Sequence, residues 1–294
     1  MTAPKREPRH VLVAGCGYVG GSLASLLAEA GDRVTGLKRN PDGLPRGVEP
    51  LAADVVVPAS LGGVPKHPDA VVYAVSPAER SGAAYRNAYV AGLANALSAC
   101  ATPGKPFRGR LILVSSTGVY GESSGAWVDE ETPPDPADET GAALLEGETL
   151  ARTFGGTGIV LRLGGIYGPG RDRTVRRVAS GDANCPEPDL FGNRIHRDDA
   201  AAAALHLLSL DGPDEVYLGV DRDPAPLRDV YRWIAGRLQL PDPCAQDAAA
   251  SGTARRRANK RCSSDRLMAS GFVFRYPTFR EGYTPFIEAI VAGR

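Results

Sequence analysis

Gly15, Gly17 and Gly20 stand in the spacing G-x-G-x-x-G at the end of the apolar run "VLVAG" (11–15). Glycines at that spacing permit a tight turn, a close approach of backbone N–H groups to a pyrophosphate, and close packing of a helix on a strand. The segment "GCGYVGGSLASLLAEAG" that follows has small and apolar residues at helical spacing and stops at Gly31. Tyr18 and Val19 then fall in the first turn of a helix, whose N-terminus favours phosphate charge. Alone the spacing is weak evidence, since glycines recur in ordinary turns; between a strand and a helix it points to a dinucleotide. The second strand, "RVTGLKRN", ends in Lys38 and Arg39, with no acid until Asp42. An acid at that place suits ribose hydroxyls and a basic group suits a 2′-phosphate, so the expected cofactor is NADP, with NAD left open.

Ser116 closes the apolar run "RLILVSS". The C-terminal end of a strand is where ligands bind in parallel sheets; the plainer role is a hydroxyl bonded to its local backbone. Tyr120 and Tyr167 each precede a glycine in a loop, and His196 is of the residue type that titrates near neutrality. With Ser116 they are the candidate catalytic groups, although tyrosine and histidine in such places also serve as packing. Arg171, Arg173, Arg176 and Arg177 cluster just after "GPG" and read either as a solvated face or as the seat of an anionic substrate group. The later run Arg255–Arg257 with Lys260 and Arg261 reads as surface, and Asp198 and Asp199 read as caps and dipole partners at a helix start.

Strands alternating with helices must position these residues. Short apolar runs at 11–15, 69–76 and 110–116 alternate with helical patterns at 83–100 and 139–154. That rhythm predicts an α/β fold, a Rossmann-type doubly wound parallel sheet. The pattern weakens after about residue 168, which suggests a dinucleotide-binding domain over 1–167. A smaller C-terminal substrate lobe then occupies 168–294, with segments returning to the first domain. Lys and Arg number 34 and Asp and Glu number 34, so the net charge gives no reason to expect nucleic acid or an anionic membrane as partner. No apolar run approaches the roughly 20 residues of a membrane span. The start "MTAPKREPRH" does not read as a signal peptide. Five widely spaced cysteines show neither metal-ligand spacing nor a disulfide framework. A cytoplasmic protein without a metal is expected.

Several blocks recur in order: "ADVVVPASL", "YAVS", "SSTGVYGE", "LRLGGIYGPGR" and "RIHRDDAA". Together with the glycine loop they resemble the extended short-chain dehydrogenase/reductases, the NAD-dependent epimerase/dehydratase family, over essentially the whole chain. The resemblance implies cofactor contacts at Asp54, Ala74, Val75 and Ser76. It makes Ser116 the family's catalytic hydroxyl and Thr117 a substrate contact, and it implies a homodimer through the helices at 83–100 and 139–154. The branch looks atypical. The family's Tyr-x-x-x-Lys pair falls on Thr140 and Leu144, and the Arg that holds a sugar-nucleotide pyrophosphate falls on Gly192. Arg194 lies two residues away and could point the same way. A threonine hydroxyl, without a cationic neighbour, cannot replace a tyrosine near pKa 10 as an acid.

Two readings follow. One is an NADP-dependent oxidoreductase or epimerase-like enzyme of a small carbonyl, hydroxyl or sugar-type substrate, with Ser116 and an unconventional acid. The other is a non-catalytic NADP-binding redox sensor or regulator.

Overall fold

The computed structural model describes residues 7–245 and 258–293. Its central element is β1 (His10–Ala14), whose last four residues are buried. A short run of this kind, without polar alternation, forms a strand covered on both faces. It leads into α1 (Tyr18–Glu29) and β2 (Arg33–Lys38), then β3 (Val48–Ala52) and β4 (Ala70–Tyr73). The expected helix at 83–100 is three pieces: α2 (Gly82–Arg86), a π-helical stretch Asn87–Ala91, and α3 (Gly92–Ala99). The Tyr73 hydroxyl donates to the carbonyl of Ala88 inside the π stretch, which supplies a partner where the i→i−4 ladder is interrupted. β5 (Arg110–Ser116), β6 (Trp127–Val128), α4 (Glu139–Thr153), β7 (Thr157–Leu163) and β8 (Gly165–Tyr167) follow. The remainder is α5 (Arg173–Ala179), β9 (Arg194–His196), α6 (Arg197–Leu207), β10 (Val216–Gly219), α7 (Leu227–Arg237), β11 (Arg261–Cys262), α8 (Asp265–Ala269) and α9 (Phe279–Ala292).

Seven strands form the main sheet in the order β10-β7-β5-β4-β1-β2-β3. The pairs β1–β2, β1–β4, β2–β3 and β4–β5 are parallel. Ala14 pairs with both Leu37 and Tyr73, so β1, β2 and β4 end side by side and their following loops emerge together. The strand order reverses beside β1, between β2 and β4, and such a switch point is where open α/β sheets bind ligands. The doubly wound fold expected from the sequence is therefore present.

The chain divides into two compact units: residues 1–119, 138–162 and 201–217 form the first, and 120–137, 163–200 and 218–294 the second. The stretch 120–137 thus belongs with the second unit, although it precedes residue 167 in the chain. The first unit's core is the buried strand residues Val11–Ala14, Val71–Tyr73 and Leu111–Leu113 with Leu23 and Leu27 of α1. In the second, Tyr167, Val175, Val230, Ile234, Phe279 and Tyr283 pack together.

The expectation of no disulfide is corrected: Cys185 and Cys244, 59 residues apart, are bonded. One lies between α5 and β9 and the other just after α7, a proximity that no local spacing announces. Cys16, Cys100 and Cys262 are buried and are not disulfide-bonded.

Candidate functional site

The turn from β1 into α1 is built around its glycines. The N–H groups of Gly15 and Cys16 both donate to the Leu37 carbonyl, at 2.9 and 3.0 Å, which ties the turn to β2. Gly15 has φ +84°, and a Cβ there would lie 2.5 Å from the carbonyl carbon of Ala74. A Cβ on Gly20 would lie 2.3 Å from the Gly15 oxygen, so the helix could not pack as close. Gly17 differs. A Cβ there meets nothing nearer than the Gly15 oxygen at 3.9 Å, so a side chain would fill open space over the helix end. Gly17 is also the N-cap of α1 and makes no side-chain cap bond, so the positive end of the helix faces that space through the first turn at Tyr18 and Val19. This bare cradle fits a pyrophosphate.

The neighbouring strand ends supply the other cofactor candidates. Lys38 closes β2 with its Nζ 3.3 Å from the Asp42 carbonyl, and Arg39 beside it is exposed. Asp54 accepts the N–H of Val56 at 3.0 Å. Ala74 donates its N–H to the Ala14 carbonyl at 2.8 Å, so Ala74, Val75 and Ser76 begin against the glycine turn.

Ser116 ends β5, and its Oγ accepts the N–H of Gly118 at 3.1 Å, opening a 3₁₀ turn in which Thr117 is buried. Behind it lies a group that the sequence reading missed. Ser115 donates to Glu148 Oε1 at 2.6 Å, and Arg162 donates to the same carboxylate through Nε at 3.1 and 3.2 Å and Nη2 at 2.7 Å. All three residues are buried, Glu148 completely. The available signal was Arg162 inside the apolar strand "GIVLRLGG". In α4 the Thr140 hydroxyl donates to Asp138 Oδ1 at 2.5 Å, and that oxygen also accepts the N–H groups of Thr140 and Gly141. Thr140 is thereby held in the helix cap, and Leu144 is buried.

The remaining candidates belong to the second unit. Tyr120 is buried and its hydroxyl donates to the Asp129 carbonyl at 2.7 Å. Tyr167 is 5% exposed, and burial pushes its phenol well above the usual range. Its hydroxyl has no hydrogen-bond partner and rests against Gly282, where a Cβ would lie 1.7 Å away. His196 is buried with its ring 3.9 Å from that of Tyr276, and Nδ1 accepts the N–H of Asp198 at 3.2 Å, which leaves Nε2 to carry the proton. Burial pulls His196 down to about 4, so the ring is neutral at neutral pH.

Arg171 and Arg173 are exposed and line an open cavity of about 710 Å³, where Arg176 is already paired with Asp172 at 2.8 Å. Arg194 is 6% exposed, its guanidinium folded back into the room left by Gly192, with Nη1 unpartnered. Two surface or capping assignments are corrected. Lys260 is buried and donates to the Tyr120 carbonyl at 2.8 Å, because backbone bonds of Asn259 with Glu122 and Gly125 draw it against the Tyr120 loop; Arg255–Arg257 lie outside the described residues. Asp199 is buried too. It accepts the N–H groups of Arg275 and Tyr276 at 2.8 and 2.9 Å, so it secures a distant loop. Among the described residues no cluster could hold a metal ion, and no helix is long and apolar enough to cross a membrane.

A model of the NAD dependent epimerase/dehydratase family matches residues 11–217. A protein provisionally described as an NAD-dependent epimerase/dehydratase from Methylobacillus flagellatus is 38% identical. The match covers 96% of this chain and 98% of that one, with a TM-score of 0.80. Protein YeeZ of Escherichia coli (strain K12) is 28% identical, with 92% of this chain and 97% of the relative covered. A 3-diazoavenalumate denitrifying reductase from a Streptomyces species is also 28% identical, with 93% and 98% covered.

Proposed function

Because the chain belongs to the NAD dependent epimerase/dehydratase family, we propose that it is an NADP-dependent oxidoreductase acting on a small carbonyl, hydroxyl or sugar-type substrate. The observation that carries this reading is the bare cradle at Gly17, over an uncapped helix end at the sheet's switch point. A nicotinamide dinucleotide held there supplies reducing equivalents. Gly15, Gly17, Tyr18, Val19 and Gly20 would receive its pyrophosphate, and Lys38 with Arg39 supports NADP over NAD through charge on a 2′-phosphate. Ser116 would orient the substrate oxygen. The name of the Streptomyces relative, a reductase, supports the reductive direction.

The proton is assigned to solvent. Thr140 gives its hydroxyl proton to Asp138, and Tyr120 gives its own to a backbone carbonyl. His196 is neutral and stacked, and Tyr167 is sealed against Gly282. Arg171, Arg173 and Arg194 remain proposed substrate contacts, of which the first two are accessible from solvent. A cytoplasmic homodimer through α2, α3 and α4 completes the proposal.

The second reading, an NADP-binding sensor without turnover, is favoured by the capped Thr140 and the buried Leu144. Calorimetry with NADPH and NADH, followed by loss of NADPH absorbance with a panel of aldehydes, ketones and nucleotide sugars, separates the two. Turnover of any acceptor supports the enzyme. Tight NADPH binding with no turnover across the panel moves the conclusion to the sensor, and no binding of either nucleotide defeats both.

A further inference from the structure

The second unit contains a cavity of about 580 Å³ formed by the segment 127–131, residues 221–222 and residues 262–268. None of its lining residues was picked out from the sequence as chemistry-bearing. Two of them are buried polar groups left without a full set of partners. Ser264, 3% exposed, stands immediately before α8, yet its hydroxyl makes no cap bond and has no other partner. Asp221 is 1% exposed; its Oδ1 accepts the N–H of Asp223 at 3.2 Å, but Oδ2 has no partner. Native interiors rarely leave such groups unmet, so both residues signal a ligand or solvent that completes them.

The lining also has a charge bias. Asp129, Glu130, Glu131 and Asp265, joined by Asp221 once it ionises, stand against Arg222, Arg266 and the Arg261 guanidinium on the Trp127 face. Arg266 is already bonded to Glu131, so the excess of carboxylates is not cancelled at the cavity. Trp127, with 55% of its surface exposed, and Met268 give the same cavity an apolar wall. An indole face attracts cations, and the guanidinium of Arg261 already sits 5.2 Å from the Trp127 ring.

We propose that this cavity binds a small organic ammonium ion, its charged head at Asp221 and Ser264 and its apolar body along Trp127 and Met268. A protonated amine donates to both unmet oxygens and needs no acceptor in return. The excess negative charge rejects carboxylates and phosphates of the same size. The site shares no residue with the dinucleotide cradle, and its test does not depend on turnover. Burial pushes Asp221 up to about 8, with Arg194, Asp223 and Glu281 as the charged groups acting on it. A bound ammonium replaces that proton, and titration at about pH 9 finds the carboxylate ionised while an alkylammonium keeps its charge.

The experiment titrates the full-length protein with n-pentylammonium, 1-pentanol and pentanoate, followed by calorimetry and by tryptophan fluorescence. Saturable binding of n-pentylammonium is expected, at least about tenfold tighter than that of the neutral and anionic analogues. Asp221→Asn should weaken it by about tenfold or more, and Ser264→Ala or Trp127→Ala by about threefold or more. Should Asp221→Asn fail to fold by circular dichroism, the Ser264 and Trp127 variants decide. Equal affinity for the three probes, no saturable binding, or unchanged affinity in both of those variants overturns the proposal.

Discussion

Arg162→Met isolates the buried ion pair behind Ser116. The substitution removes the donations from Arg162 Nε and Nη2 and leaves the fully buried Glu148 with Ser115 as its remaining described donor. An uncompensated buried charge costs about 3–5 kcal/mol, against a total stability on the order of 5–15 kcal/mol for a domain. The single variant should therefore lose about a fifth or more of its resistance to urea. Removing the three members of the described network together, in Ser115→Ala/Glu148→Leu/Arg162→Met, leaves no buried carboxylate without its cation and should return to within about 1–2 kcal/mol of the parent. The assay is urea unfolding followed by circular dichroism, with the coupling between positions 148 and 162 taken from a double-mutant cycle. A coupling of at least about 2 kcal/mol is expected for groups in direct contact. A loss under about 1 kcal/mol in Arg162→Met would refute the assignment of a buried charge pair, as would a triple variant no more stable than the single one.

Gly17→Asp should abolish NADPH binding measured by calorimetry while leaving the melting temperature nearly unchanged, because its side chain enters open space. Gly20→Val should instead destabilise the fold; intact NADPH affinity in a folded Gly17→Asp would sink the cradle. Lys38→Ala/Arg39→Ala should narrow the preference for NADPH over NADH by on the order of tenfold, and an unchanged ratio removes these residues from the 2′-phosphate. Once turnover is found, Thr140→Val should keep most activity, whereas Ser116→Ala should lose roughly ten- to a hundredfold; the opposite pattern reverses the roles. Asp221 has its folded pKa raised to about 8, so the stability it contributes is full below its unfolded value near 3.9 and is lost as pH rises toward 8. Asp221→Asn should accordingly show a flatter fall in stability between about pH 5 and 8, and parallel curves for the two proteins would contradict the raised value.

The glycine turn, β1 and α1 were legible because their signals are local: an apolar run, three glycines and a helix within 20 residues. The parallel sheet followed from the alternation of strand and helix patterns. The partners of single polar residues were not legible, because each is fixed by a contact between distant segments. Nothing in the sequence tied Glu148 of α4 to Arg162 of β7 until the fold brought them together. Lys260 looked like surface among arginines, yet its partner is 140 residues earlier. The pairing of Cys185 with Cys244 and the seat of Asp199 under Arg275 and Tyr276 fall in the same class. The break of the 83–100 helix into a π stretch was equally silent, since it depends on Tyr73 reaching Ala88 from β4.

The interleaving of the two units has a consequence for synthesis on the ribosome. The chain enters the second unit at residues 120, 163 and 218 and leaves it at 138 and 201, so neither unit is complete when the other begins. Strand β7 ends at Leu163, but β10, its partner at the sheet's end, starts only at Val216. At about 5–20 residues per second the nascent chain leaves that edge of β7 open for roughly 3–10 seconds. An open edge of buried, apolar strand is a template for pairing with another chain. Slow codons between residues 163 and 216 should therefore increase aggregation of newly made protein. The same codons placed after Gly219, once β10 has been made, should have little effect.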